Sequence, residues 1–166
     1  FPKYGDEFKV MGLAPYGEPR FTDKISRLVH LRDDGGFELD LSYFSHWSEG
    51  VQMTWEDGEP LVGQVFTPKL EALLGPRRRS DEPVQPLHEA IAASLQAVFE
   101  TAALHVLAHV QKSTGATKLC FAGGCAMNSV ANGKIRERTR FSDVFIQPAS
   151  GDNGTSLGAA FAAWHQ

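Results

Sequence analysis

Two short stretches combine residue types that can handle a charged ligand. Gly123-Gly124 is followed four positions on by Asn128, and Ser150-Gly151-Asp152-Asn153-Gly154 lies further along the chain. Adjacent glycines let backbone N–H groups approach an anion or a nucleotide closely, and a helix starting just after them adds a favourable dipole. Asn128 could offer an amide to the same ligand, and Asp152 a carboxylate that ligates a metal or accepts a hydrogen bond. The plainer reading makes Gly-Gly a tight turn and Asp152 a helix N-cap. Two such turns at neighbouring strand ends bring the binding-site reading level with that of two plain turns.

Other patterns fail on spacing. Asn128 stands where a phosphate-binding loop before Gly133-Lys134 needs its first glycine, and Ile135 replaces the Ser or Thr. Gly151, Gly154 and Gly158 do not have the dinucleotide spacing. His105 and His109 lie four apart on a helix, without a Glu between them or a third ligand nearby, and read as a plain helix face. Cys120 and Cys125 form neither a disulfide framework nor a zinc pattern, and are expected to be small buried residues of a reducing compartment, with a reactive thiol as the alternative. Asn153-Gly154-Thr155 matches a glycosylation sequon but has no secretory context.

The elements that must position these residues fall in the second half. From Leu87 to Lys112 there is neither Gly nor Pro. Leu87, Ile91, Leu95, Val98, Ala102 and Val106 recur at helical spacing, which predicts a long amphipathic helix ended by Gly115. Lys118–Ala122 reads as a short buried strand, 126–138 as a helix, 144–147 as a second buried strand and 155–164 as a final Ala-rich helix. This order predicts an α/β arrangement with parallel strands covered by helices. In such sheets ligands bind beyond the carboxyl ends of the strands, where both glycine turns fall.

Residues 1–85 are rich in turn formers. Short helices are expected over 22–31 and 65–74, and a half-buried strand over 37–41 behind the Asp33-Asp34-Gly35-Gly36 turn. Two strands do not make a stable sheet, so further strands are expected from the segment before Phe1 or from residues 37–62. The chain has 16 basic and 20 acidic side chains, which argues against a nucleic-acid footprint. Arg77-Arg78-Arg79 reads as a solvated loop, with contact to a phosphate or a neighbouring domain as the alternative. No apolar run is expected to span a membrane, no signal peptide is evident, and the lack of an initiator Met suggests that the chain starts inside a longer one.

Four blocks resemble one family in its order. They are Glu7-Phe8-Lys9-Val10-Met11-Gly12-Leu13-Ala14-Pro15-Tyr16-Gly17, Ala92-Ala93-Ser94-Leu95-Gln96, the stretch from Ala122 to Gly133 (AGGCAMNSVANG), and the stretch from Gln147 to Ala160 (QPASGDNGTSLGAA). Together they resemble the O-carbamoyltransferases of nodulation and antibiotic biosynthesis.

The resemblance implies half of an actin/sugar-kinase-like (ribonuclease H-like) nucleotide-binding domain, with helices on a small, mostly parallel sheet. Residues 1–85 would be an irregular, insertion-like segment and 86–166 the α/β half-domain. It implies a cytoplasmic enzyme in which carbamoyl phosphate and ATP give carbamoyl adenylate, largely in a separate C-terminal domain. The carbamoyl group then passes to a hydroxyl of a sugar or secondary metabolite. By position, Gly123, Gly124 and Asn128 would contact the adenosine and phosphate, and Glu7, Lys9 and Gly12 would lie near the ribose. Asp152 would ligate a divalent metal, usually iron, which would polarise the carbamoyl carbonyl.

The family's paired metal-binding histidines belong to a motif upstream of its Met-Gly-Leu-Ala-Pro-Tyr-Gly block, and no such motif stands here. His30, His46 and His88 are isolated. The chain alone is therefore expected to be catalytically silent and to depend on an upstream half-domain and the C-terminal domain. Two other readings use the same turns: a sugar-kinase-like phosphotransferase, and a non-catalytic nucleotide-binding module.

Overall fold

The computed structural model describes residues 5–166. The architecture is mixed α/β, with seven α-helices and three two-stranded sheets among the described residues. Two compact units are present, one ending at Ala102 and one running from Ala103 to Gln166. The division falls inside the longest helix.

The first unit opens with α1 (Phe8–Leu13), a 3-10 turn over Ala14–Tyr16, and α2 (Thr22–Ile25). A helix was expected to run on to Leu31. Instead it tightens into a 3-10 turn at Ser26–Leu28 and gives way to β1 (Val29–Leu31), which pairs antiparallel with β2 (Phe37–Leu39). The Asp-Asp-Gly-Gly turn explains the change. Gly35 takes φ +85°, Asp34 Oδ1 accepts from the Gly36 N–H at 3.0 Å, and the hairpin so closed needs Val29–Leu31 extended.

After α3 (His46–Glu49) comes a second hairpin of β3 (Met53–Glu56) and β4 (Glu59–Val62). Asp57 at φ +50° and Gly58 at φ +81° make its two-residue turn. Helix α4 (Pro68–Leu74) starts with the proline at its first position, where the missing N–H matters least. Ile25, Leu28, Tyr43 and Val98 form the core of this unit, with Phe21, Leu70, Leu73 and Ile91 packed around them.

Helix α5 (Pro86–Thr114) carries Val98 into this core. Its buried face keeps Val98 and Ile91 of the expected stripe and adds small residues beside them. Ala90, Ala92, Ala93 and Ser94 are buried, whereas Leu95 is 41% exposed. Small side chains allow close approach here: a Cβ on Gly17 would overlap the Glu89 backbone carbonyl. Ser94 Oγ accepts from the Phe21 N–H at 2.9 Å and donates to the Ala90 carbonyl at 2.6 Å, tying the turn before α2 to α5. Contrary to the sequence expectation, α5 is long and apolar enough to cross a membrane by length and composition, with a mean hydropathy of 1.5 over an 18-residue stretch. Its buried Ser94 and Gln96, and the Gln96–Glu100 hydrogen bond, belong instead to a helix packed within protein.

In the second unit β5 (Lys118–Phe121) and β6 (Asp143–Ile146) pair in parallel, joined through α6 (Ser129–Arg138), and α7 (Gly154–Trp164) follows. Parallel strands need such a crossover because a tight turn reverses direction. Leu119, Phe121 and Val144 point to a core of Leu107, Ile135 and Phe141. The expected larger sheet is not formed among the described residues. Residues 37–62 do not join the parallel pair; their strands are used in the two antiparallel hairpins. The two parallel strands are also exposed on alternate residues rather than buried throughout.

Candidate functional site

The residues Gly123, Gly124, Asn128 and Asp152 all lie at the carboxyl ends of β5 and β6. Strand pairing runs on past the strands, through Gln147 N–H to the Phe121 carbonyl at 3.3 Å. There Gly123 turns the chain with φ +107°, a conformation that costs an L side chain about 1 kcal/mol or more. Its N–H donates to the Ser150 carbonyl at 2.7 Å. That bond joins the two turns, and Ser150 itself is buried. An added Cβ on Gly151 would sit 3.4 Å from Met127 Sδ, so the loop after β5 and the loop after β6 lie side by side.

Gly124 opens a 3-10 turn, Gly124–Met127, and an added Cβ there would meet nothing within 4 Å. The backbone at this point is open to close approach by a ligand. The turn is fixed from below: Ala126 is 1% exposed, and Asn132 Nδ2 donates to its carbonyl at 2.7 Å. Asn132 Oδ1 is buried and finds no hydrogen-bond partner among the described residues. The sequence reading passed over Asn132.

Asn128 was expected about one turn inside a helix starting near Ala126. It is in fact the N-cap of α6: its backbone is extended and its Oδ1 accepts from the Ala131 N–H at 3.0 Å. The two glycines at the strand end favour the tighter 3-10 turn, and the α-helix starts only after it. The carbonyl end of the Asn128 amide therefore serves the helix.

Asp152 behaves in the opposite way. The N-cap position of α7 is Asn153, and no side chain caps that helix. Asp152 holds the turn through its backbone, whose carbonyl accepts from Thr155 N–H at 3.2 Å and Thr155 Oγ1 at 2.7 Å. Its carboxylate is exposed. The capping explanation for Asp152 thus fails, which leaves the carboxylate available to a ligand. Gly154 is required by packing, since a Cβ there would overlap the Ala149 carbonyl.

Glu7, Lys9 and Gly12 lie on or beside α1, in the other unit. Glu7 occupies the N-cap position without a capping bond, and Lys9 Nζ pairs with Asp6 Oδ1 at 2.6 Å. A Cβ on Gly12 would meet nothing within 4 Å. Among the described residues no group of three or more His, Cys, Asp or Glu side chains could hold a metal. Asp152 belongs to no such group among the described residues.

The remaining sequence candidates resolve simply. Arg77, Arg78 and Arg79 bond locally, to Glu71 and Gln64, to the Glu82 carbonyl, and to Asp81 and Glu82 respectively. Cys120 and Cys125 are free and exposed rather than buried: Cys120 alternates with the core-facing Leu119 and Phe121 on β5, and Cys125 lies in the Gly124–Met127 turn. A cavity of ≈ 770 Å³ in the second unit lies at the opposite, amino ends of the strands, lined by Lys112, Thr117, Arg138 and Arg140. Lys112 and Arg138 stand in the last turns of α5 and α6, where cations complement the helix dipoles. That is sufficient reason for their presence, and the cavity is remote from the two turns.

Comparison with known proteins adds the context. The carbamoyltransferase N-terminus family matches residues 1–161. An uncharacterized protein of Synechocystis is 40% identical over 161 residues, covering 96% of this chain and 24% of that protein. Nodulation protein NolO of Bradyrhizobium diazoefficiens is 36% identical over 156 residues, 93% of this chain and 24% of that protein. Nodulation protein NolNO of Sinorhizobium fredii is likewise 36% identical over 156 residues, 93% of this chain and 20% of that protein. The chain thus spans about a quarter or less of the length of these relatives. With nearly its whole length matched, and its two glycine turns adjoining at the end of a parallel strand pair, the chain belongs to the carbamoyltransferase family, as part of the family's N-terminal region.

Proposed function

We propose that the two turns form part of the nucleotide site of an ATP-dependent O-carbamoyltransferase. In this reading a carbamoyl adenylate, made from carbamoyl phosphate and ATP, delivers its carbamoyl group to a hydroxyl of a sugar or secondary metabolite. The acceptor oxygen bonds to the carbamoyl carbon, the bond from that carbon to the phosphate oxygen breaks, AMP departs, and the hydroxyl proton is released. The observation that carries the proposal is the Gly123 N–H to Ser150 carbonyl bond. It fixes an open glycine backbone beside a carboxylate that caps nothing.

The part assigned to this chain is binding and orientation. Backbone N–H groups at Gly124 and the helix start after it would face the adenylate phosphate, where hydrogen bonds to a charged group contribute about 1.5–3 kcal/mol each. Asn128 would address the same nucleotide, and Asp152 its far side. Glu7, Lys9 and Gly12 are assigned to the ribose on the resemblance alone. The actin/sugar-kinase-like fold of the whole domain, its cytoplasmic setting, and reliance on an upstream half-domain and a C-terminal adenylate-forming domain are parts of the same proposal. No step is assigned to a metal.

The test uses the full-length parent, with carbamoyl phosphate, ATP and divalent iron supplied and a panel of hydroxyl compounds as acceptors. Transfer that requires ATP and falls at least about tenfold in Asp152→Ala, roughly 1.4 kcal/mol, supports the reading. Full activity in that variant removes Asp152 from the site. Phosphorylation of a hydroxyl, with no carbamoyl transfer, would replace the transferase reading with a kinase.

A further inference from the structure

Ser45, Ser94 and Ser150 are the buried serines among the described residues, and two of them are bonded through their side chains. Ser94 Oγ accepts from the Phe21 N–H and donates to the Ala90 carbonyl, and Ser45 Oγ donates to the Gln64 carbonyl at 3.4 Å. Ser150, 6% exposed, is the exception. Its carbonyl accepts from the Gly123 N–H, but its hydroxyl makes no hydrogen bond among the described residues. Nor is that hydroxyl sealed in the interior, since the buried side-chain oxygen left without a partner among the described residues is Asn132 Oδ1. Ser150 Oγ thus keeps an opening to the surface.

A hydroxyl in so enclosed a residue adds nothing to the fold. Left unpaired it is unfavourable, and an alanine would fill the same place without the penalty. Its position is also fixed in advance. The Gly123 bond holds it on one side. On the other the turn closes through Gly154 N–H to the Gly151 carbonyl at 2.9 Å and Thr155 N–H to the Asp152 carbonyl at 3.2 Å. A polar group that is pinned, unpaired and reachable suits a ligand contact, because little ordering remains to be done on binding.

The surroundings select the chemistry of that ligand. Gly124, next to the Gly123–Ser150 bond, leaves its backbone open, and α6 begins just beyond with its partly positive N-terminal end. A hydroxyl donor beside these groups suits an anionic oxygen, and such charge-assisted hydrogen bonds are the stronger kind. The acidic group of the same turn, Asp152, has its carboxylate in solvent. We infer that Ser150 contacts the ligand directly, its hydroxyl donating to a phosphate oxygen of a nucleotide bound at the two turns. The inference rests on the nucleotide reading proposed above and adds to it a side chain that had no part there. No covalent bond is made or broken by this contact. The hydroxyl gains the partner it lacks and orients the phosphate.

The test reads occupancy at the turn itself. Cys125, free and exposed within the Gly124–Met127 turn, is alkylated in the full-length parent, and its labelling is followed by peptide mass spectrometry at rising ATP concentration. ATP should protect Cys125 in wild type. The protection midpoint should rise about tenfold or more in Ser150→Ala, for the loss of one hydrogen bond to a charged group. Without ATP, Ser150→Ala should melt at or above the wild-type temperature, because the fold loses no hydrogen bond. An unchanged ATP midpoint would overturn the inference. A lower melting temperature or a failure to fold would also overturn it, by giving the hydroxyl to the structure. Should adenosine protect Cys125 as well, a shift in its midpoint equal to that of ATP would move the contact off the phosphate and overturn the assignment. The nucleotide reading fails separately. Equal protection of Ser150→Ala and wild type leaves that reading standing without Ser150, whereas no protection even in wild type overturns both.

Discussion

Replacing Gly124 by Ala separates ligand binding from folding. Gly124 lies in a 3-10 turn at a backbone angle open to any residue, and the added methyl meets nothing within 4 Å. Folding should therefore be indifferent or slightly favoured, because Ala at a compatible position restricts the unfolded chain by about 0.4–1 kcal/mol. A ligand phosphate held by this backbone would be pushed away by the same methyl. Losing one hydrogen bond to a charged group is worth about 1.5–3 kcal/mol, or about a 10- to 150-fold weaker ATP affinity. The assay is thermal unfolding of the full-length parent beside ATP titration and carbamoyl transfer in wild type and Gly124→Ala. Unchanged melting with weakened ATP binding is the expected pair. Wild-type ATP affinity in a fully folded variant would refute the phosphate role of the turn, and loss of folding would refute the open geometry at Gly124.

Three further outcomes follow from the first unit. Gly17→Ala forces a methyl into the Glu89 carbonyl. It should lower stability by about 1–3 kcal/mol or more, read as a shifted denaturant midpoint, and an unchanged midpoint would show that α5 and the Gly17 loop are not in this contact. Ser94→Ala removes the acceptor of the Phe21 N–H from a side chain that is fully buried. A loss of about 1–3 kcal/mol is expected, whereas Ser94→Thr should retain the bond if the extra methyl is accommodated; equal stability of Ser94→Ala and wild type would refute the anchor. Asp40 accepts from the Ser42 hydroxyl and N–H, which hold its carboxyl below the usual carboxylate range, with Lys69 nearby adding a smaller pull. Its contribution to stability is therefore complete above the ordinary carboxylate pKa and disappears as pH falls through the lowered value. Titration of Asp40 by NMR checks the sign, and a midpoint at or above the ordinary value would contradict it.

Local signals read well where the chemistry is local. The Gly- and Pro-free run from Leu87 to Lys112 became α5, and glycine-rich turns closed where two φ > 0 positions were available, at Gly35 and at Gly123. The Asp57-Gly58 hairpin was equally legible, since that dipeptide suits a two-residue turn with both φ positive, yet the reading passed over it. The boundary errors have one cause. Val29–Leu31 left the expected helix because a strand partner became available across the turn, and a partner lies outside the window that periodicity sees.

The sequence by itself determined the two glycine turns, the order of helices and strands around them, and the family to which they belong. Those follow from residue type and spacing over short distances. Only the tertiary structure decided that the two turns touch, through Gly123 and Ser150, that Asn128 caps a helix, and that the Asp152 carboxylate caps none. It also decided that α5 buries its alanines and Ser94 rather than Leu95, and that Cys120 faces outward. Each of these depends on which backbone donor, carbonyl or neighbouring chain lies across the fold, and that distance is set by packing between residues far apart in sequence.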